Sequence, residues 1–238
     1  MERKKDLISA RVISTNLSRV LSEMKNQTDE TEAKLAVSRF RLECSYEEFL
    51  RLLGQAARHI LLQMGNRREF VIDNFNEPTI RQLHLYLSRN PDFSGDLDKG
   101  VMLQGKYGSG KTILMRSYAH IQNYIITRLE LRYPLVSFAT SMDIVGTIKQ
   151  DGVKQFARRE LIIDEFGREP KAVMDFGNTI RPLAELISLR AETGAITHAT
   201  SNFSLETLSG DDFYGKMIGD RLRAMFNFIV VDGDSRRA

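Results

Sequence analysis

The stretch VMLQGKYGSGKT, from Val101 to Thr112, decides the fold class. Val101-Met-Leu-Gln104 is a short apolar run of strand type. Gly105-x-x-x-x-Gly110-Lys111-Thr112 follows and matches the phosphate-loop pattern in full. Glycines let the backbone turn tightly and aim several N–H groups at phosphate oxygens. The loop then feeds the N-terminus of a helix, where the helix dipole favours anions. Gly105, Lys106, Tyr107, Gly108, Ser109, Gly110, Lys111 and Thr112 are therefore expected to cradle the phosphates of ATP. Lys111 is expected to reach the β- and γ-phosphates, and the Thr112 hydroxyl to ligate Mg²⁺.

Working outward, strand and helix signals alternate from about residue 66 to the end, which predicts an α/β domain around a parallel sheet. Glu77-Pro78 opens a helix through Leu87, with proline in its first turn. Lys111 to about Leu131 is a long helix. The next strand is placed at Leu135–Phe138 and a helix near Asp143–Lys149. Leu161–Ile163 is a strand and Ile180–Arg190 a helix. Ala195–Thr200, Phe213–Met225 and Phe228–Val231 complete the series as strand, helix and strand.

Two of these strands end in candidate chemistry. Leu161-Ile-Ile-Asp164-Glu165 is an apolar run closed by two carboxylates, and parallel strands carry active groups at their C-terminal ends. Asp164 is expected to hold Mg²⁺. Glu165 is expected to act as general base toward the attacking water. Thr200, Ser201 and Asn202 end another strand. If that strand lies between the other two, they face the γ-phosphate and Asn202 orients the water. A turn that merely ends the strand is the alternative. Glu47-Glu48 and Asp211-Asp212 follow no apolar strand and are assigned to a helix start or to solvated surface.

Residues 1–65 form a helical N-terminal region in this reading. Leu7, Val12, Leu17 and Leu21 are spaced loosely along one helix face, and the polar stretch Lys25 to Lys34 is expected to be a mobile link. Ser45-Tyr-Glu-Glu48 fits a capping box. Phe49, Leu52, Leu53, Ala56, Ala57 and Ile60 then follow at helical spacing.

Composition narrows the function classes. The chain has 238 residues, 42% of them hydrophobic and 27% charged, as in folded globular proteins. A single cysteine, Cys44, excludes an internal disulfide and zinc sites of the Cys₄ or Cys₂His₂ type. The four histidines, His59, His84, His120 and His198, show no metal-ligand spacing. No run approaches the ~18–20 apolar residues of a membrane helix, and the basic N-terminus lacks a signal-peptide core. A cytoplasmic protein without membrane contact is expected. Net charge +3 and a pI near 9.0 are as compatible with nucleic-acid binding as with a mildly basic cytosolic protein.

Taken together, the motifs resemble the AAA+ ATPases and, within them, the DnaC/IstB-like group. The resemblance covers about residues 68–238. It rests on GKYGSGKT at 105–112, LIIDEFG at 161–167, ISLRAETGAITHATSNFSLE at 187–206 and YGKMIGDRLRAMFNFIVVDGDSRR at 214–237. It implies a P-loop NTPase fold of the AAA+ (ASCE) type over residues 66–238: a three-layer parallel sheet without a C-terminal lid, preceded by a helical partner-binding region over 1–65. It also implies an ATPase, weak unless assembled. Asn202 resembles the sensor-1 residue. Arg221 resembles the arginine finger that completes a neighbouring subunit's site, with Arg223 a lesser candidate, and this implies a homo-oligomer. Phe70-Val-Ile72 is a candidate lining of the adenine pocket. Seventeen residues follow Arg221, too few for a lid carrying a second sensor arginine; Arg236 and Arg237 are the candidates to substitute for it, with a frayed basic tail the simpler reading.

The implied partner is a replicative helicase, with a transposase as the alternative. Single-stranded or double-stranded DNA is the other implied partner, contacted through Arg116, Lys149, Lys154, Arg158 and Arg159. A metabolic kinase would need an acceptor-binding lid with clustered arginines, for which the sequence has no segment. A nucleotide-gated module without turnover fits less well with Glu165 beside Asp164.

Overall fold

The computed structural model describes residues 16–32, 39–175 and 178–236. The chain divides into two compact units, Met1–Phe40 and Arg41–Ala238. In the first unit, helix α1 spans 16–32. Leu7 and Val12 lie outside the described residues. Leu17, Val20, Leu21 and Met24 fall at i, i+3, i+4, i+7 and line one exposed face of α1. The helix continues through residues 25–32, where a link was expected. Thr28 and Thr31 donate their hydroxyls back to the carbonyls of Met24 and Gln27, at 3.0 and 2.7 Å, so this polar stretch satisfies itself within the helix.

The second unit opens with α2 (Tyr46–Gln63). Its capping box is complete: Ser45 Oγ accepts from Glu48 N at 3.2 Å, and Glu48 Oε2 accepts from Ser45 N at 2.8 Å. α3 (Glu77–Leu87) starts at its proline-bearing first turn. β1 (Gly100–Gln104) leads through the phosphate loop into α4 (Lys111–Arg128). Next come β2 (Ser137–Thr140), α5 (Ser141–Asp151), a 3₁₀ turn (Val153–Phe156) and β3 (Leu161–Asp164). A short antiparallel hairpin, β4 (Val173–Asp175) and β5 (Asn178–Ile180), precedes α6 (Pro182–Thr193). β6 (Thr197–Ser201), α7 (Leu205–Leu208), α8 (Gly215–Met225) and β7 (Phe226–Val230) complete the unit.

The main sheet has the order β2-β3-β6-β1-β7, and every pairing is parallel. β6 therefore lies between the phosphate-loop strand and the Asp164 strand. Strand alternation splits the core into two faces. Met102, Leu161, Ile163 and Ala199 pack with Ile144 and Ile148 of α5, Leu183, Ala184, Leu186 and Ile187 of α6, and Ile218 and Leu222 of α8. α4 contacts β2, β3 and β6 and covers the opposite face. The result is a three-layer α/β domain of the expected type.

Several element boundaries moved for identifiable reasons. β2 starts at Ser137 because the backbone of Val136 is bound on both sides by the Asn123 side chain, at 2.8 and 2.9 Å. α6 starts at Pro182, and Ile180 belongs to the hairpin, whose three-residue strands are too short to show alternation. α2 packs along α4 and buries Phe49, Leu53, Ala56, Ala57 and Ile60, so the compact unit begins at Arg41 and not near residue 66.

The α2–α4 contact carries a stacked histidine pair. The rings of His59 and His120 lie 4.9 Å apart, centroid to centroid. Burial, then the neighbouring His59, holds the His120 pKa below its ordinary 6.5. Folding thus favours neutral His120. The contribution is complete above about pH 6.5 and is lost as pH falls from there through the lower folded value. The urea midpoint should drop more between pH 7.5 and pH 5 in the parent protein than in His120→Gln. Equal drops would refute the coupling.

Candidate nucleotide site

The turn after β1 takes backbone conformations that side chains resist. φ is +154° at Gly105, +80° at Gly108 and +98° at Gly110. α4 begins at once with Lys111, which is buried. Its Nζ donates to the carbonyls of Gly105 and Lys106, at 2.8 and 2.7 Å, and to Asn202 Oδ1 at 2.9 Å. The ammonium thus joins the phosphate loop to the end of β6. Gln104 supports the same junction, donating Nε2 to Phe203 O at 2.8 Å.

Asp164 closes β3 and is only 3% exposed. Its Oδ1 accepts from Thr112 Oγ1 at 2.9 Å and from Thr200 Oγ1 at 2.6 Å. Neighbouring hydroxyl and carboxylate oxygens form a donor set suited to a hard divalent cation such as Mg²⁺, which binds few protein oxygens and shares phosphate oxygens and water. The residues fit that ion. Thr200 contacts Asp164, so its role is to hold the carboxylate.

Glu165 follows in a strained backbone conformation, with φ +58°. Both of its peptide groups are tied down: Glu165 N donates to Thr200 Oγ1 at 3.0 Å, and Glu165 O accepts from Ser141 Oγ at 3.0 Å. The carboxylate is held by Arg168 Nη1, at 2.7 and 2.6 Å to its two oxygens. The loop beyond is anchored as well. Glu169 is buried, accepts from Gly167 N at 3.0 Å and from the Tyr214 hydroxyl, and so ties this loop to the start of α8. Burial and then Glu169 push the Tyr214 pKa upward.

These groups line one cavity of about 770 Å³. Lys111, Thr112, Asp164, Glu165, Thr200 and Asn202 form one wall. Leu61 and Met64 from the end of α2, with Phe70, Val71 and Ile113, form a more apolar wall suited to a base. Of Phe70-Val-Ile72, Phe70 and Val71 line the cavity and Ile72 does not, and the part played by α2 is absent from the sequence reading. Arg116 also lines the cavity, with its guanidinium 4.7 Å from the Phe138 ring, and so is separate from the exposed Lys149, Lys154, Arg158 and Arg159. Arg221 does not line this cavity. It lies on α8 and pairs with Glu192 at 3.5 Å.

Arg168 has no place in the sequence reading of the site, and Arg236 has one only as the less simple alternative to a frayed tail. Arg168 had one available signal, a charge of opposite sign three residues after Glu165. Arg236 was read as part of a frayed tail but lines the cavity. Val231 to Arg236 leave β7 and hydrogen-bond to the phosphate loop and its strand, so this segment is packed. Among the described residues no cluster of three or more histidine, cysteine or acidic side chains forms a further metal site, and no helix is long and apolar enough to cross a membrane.

No family model and no curated protein matches the chain. Solved structures do. DnaI is 20% identical, covering 71% of this chain and 87% of its own, with a TM-score of 0.50. The DnaC helicase loader is 18% identical, covering 68% and 93%, with a TM-score of 0.50. A primosome component from Streptococcus pyogenes serotype M3 is 19% identical, covering 78% and 98%, with a TM-score of 0.51. The chain shares its fold with these three structures.

Proposed function

We propose that this chain is an ATPase of the DnaC kind that loads a replicative helicase onto DNA and works as an oligomer. One observation carries the catalytic part. Lys111, Thr112, Asp164, Glu165 and Asn202 come from three separate stretches of chain and converge on one cavity at the C-terminal ends of β1, β3 and β6.

The chemistry follows from what these residues hold. The loop N–H groups and Lys111 bind the β- and γ-phosphates. Thr112 and Asp164 hold Mg²⁺, which when bound neutralises phosphate charge. Asn202 orients a water. Glu165 takes a proton from that water as its oxygen bonds to the γ-phosphorus and the bond to the ADP oxygen breaks. Glu165 is engaged by Arg168 at rest, which is consistent with slow turnover in the free chain. Arg221 does not line the cavity of its own chain and would supply positive charge to a neighbour's site.

The partner assignment is supported by the fold shared with the DnaC helicase loader and by the exposed apolar stripe of α1, the kind of face that docks in a protein groove. Exposed Lys149, Lys154, Arg158 and Arg159 form a basic stretch suited to DNA phosphates. The test is ATP turnover with and without a hexameric replicative helicase and single-stranded DNA. Turnover should rise with both present. Arg221→Ala should lose that rise and keep nucleotide binding. Stimulation by a transposase in place of the helicase would reject the loader assignment.

A further inference from the structure

The segment after β7 runs back across the phosphate loop. Val231 N donates to Gln104 O at 2.7 Å, and Arg236 N donates to Gly108 O at 3.0 Å. The packing is close: a Cβ on Gly105 would collide with the Val231 carbonyl, and one on Gly108 with the Ser235 side chain. Lys106 and Asp234 add an ion pair at 3.7 Å. These contacts make a strap across the loop.

At the end of the strap the Arg236 side chain enters the cavity. Its Cδ lies 3.7 Å from the position a Cβ on Gly110 would take. Nη2 donates to Asp73 Oδ1 at 2.8 Å, and Nη1 reaches Val71 O at 3.4 Å. Nε is buried and has no partner. A buried donor without a partner is costly, and an anionic oxygen is the strongest partner a guanidinium finds. The anchoring Asp73 belongs to the stretch between α2 and α3 whose earlier residues, 66 and 68–71, also line the cavity.

We propose that Arg236 is a nucleotide ligand supplied in cis by this strap: anchored on Asp73, its guanidinium donates to a phosphate oxygen of bound ATP or ADP. The inference rests on the nucleotide reading of the cavity and deepens it. It assigns phosphate recognition to two cationic side chains of one chain, Lys111 at the start of α4 and Arg236 on the strap. It also links nucleotide occupancy to the residues between α2 and α3, because the guanidinium that meets the phosphate is the one that holds Asp73.

The experiment compares binding of ATP, ADP and adenosine, each by competition with a fluorescent ATP analogue. Arg236→Ala should weaken ATP and ADP about tenfold or more, the effect of one lost charge-assisted hydrogen bond, and leave adenosine within about twofold. Arg236→Lys should recover part of the loss, since it keeps the charge without the fork. Asp73→Asn should show a smaller loss in the same direction, because the anchor is weakened and the ligand group kept. Unchanged ATP affinity in Arg236→Ala overturns the proposal. An equal loss for adenosine also overturns it, since the strap would then only shape the cavity. Lys111→Ala separates this outcome from failure of the nucleotide reading itself. If that variant binds ATP normally, the reading of the phosphate loop fails. If it loses ATP while Arg236→Ala does not, only the strap proposal fails.

Discussion

Glu165→Gln should bind ATP within about twofold of the parent protein and hydrolyse it at least about a hundredfold more slowly, the lower range for loss of a positioned general base. Position is the reason for so large an effect. The residue sits at φ +58°, a strained conformation for a side chain of this size, and both of its peptide groups are hydrogen-bonded to hydroxyls at 3.0 Å. Such a backbone aims the carboxylate with little freedom. Glutamine keeps the shape and loses the ability to accept a proton, so binding and turnover separate. The ion pair to Arg168 adds a second arm to the test. A carboxylate held on both oxygens is a poor base until the guanidinium leaves, and the Arg168 side chain is 57% exposed, so water can take over its hydrogen bonds when it does. Arg168→Ala should therefore raise basal turnover several-fold while Glu165→Gln abolishes it. Turnover retained in Glu165→Gln would remove Glu165 as base. Slower turnover in Arg168→Ala would make the arginine a contributor to catalysis and not a restraint.

The parts of this site that were legible in the sequence are those in which chemistry is encoded by adjacent residues. Gly105 to Thr112 form one continuous loop, and Asp164-Glu165 and Thr200 to Asn202 each end a short apolar strand. The order of those strands was inferred as a condition, and the sheet satisfies it with β6 between β1 and β3. The capping box at Ser45 was legible because its hydrogen bonds span three residues. What escaped depends on distant contacts. The role of α2 follows from packing on α4, which no local pattern encodes, and its apolar face suits a partner surface as well as a core. The strap escaped because Arg236 meets Asp73 across more than 160 residues of chain, and a basic terminus usually frays. Only the second half of the 16–32 helix escaped, because this polar stretch lacks the periodic apolar signal that Leu17 and Leu21 supply to the first half.

Arg190→Ala should cost about 3–5 kcal/mol of unfolding free energy, from the cavity left by a large buried side chain and from carbonyls that lose their donor at about 1–3 kcal/mol each. Arg190 is fully buried on α6. Its Nε donates to Thr197 Oγ1 at 2.8 Å, Nη1 to the Phe156 carbonyl, and Nη2 to the carbonyls of Arg159 and Ile196 at 2.9 and 2.5 Å. One guanidinium thus ties together the 3₁₀ turn, the approach to β3 and the start of β6. Burial depresses its pKa to about 10, and Glu160 nearby opposes the shift. Alanine would leave a cavity and remove a donor from the Phe156 and Arg159 carbonyls, each at a desolvation penalty, while Ile196 O keeps its bond from Leu161 N. Lysine would keep the charge but could not span the same carbonyls from one planar group, so Arg190→Lys should fall between parent and alanine. Against a typical domain stability of about 5–15 kcal/mol the loss is large enough to read as a clear drop in the urea midpoint. The location also predicts what is spared. Arg190 joins the N-terminal ends of β3 and β6, whereas Asp164 and Asn202 stand at or just beyond their C-terminal ends. Nucleotide affinity measured at low temperature, where the variant remains folded, should therefore stay close to that of the parent. A parallel loss of affinity and stability would mean that strain at one end of these strands reaches the other.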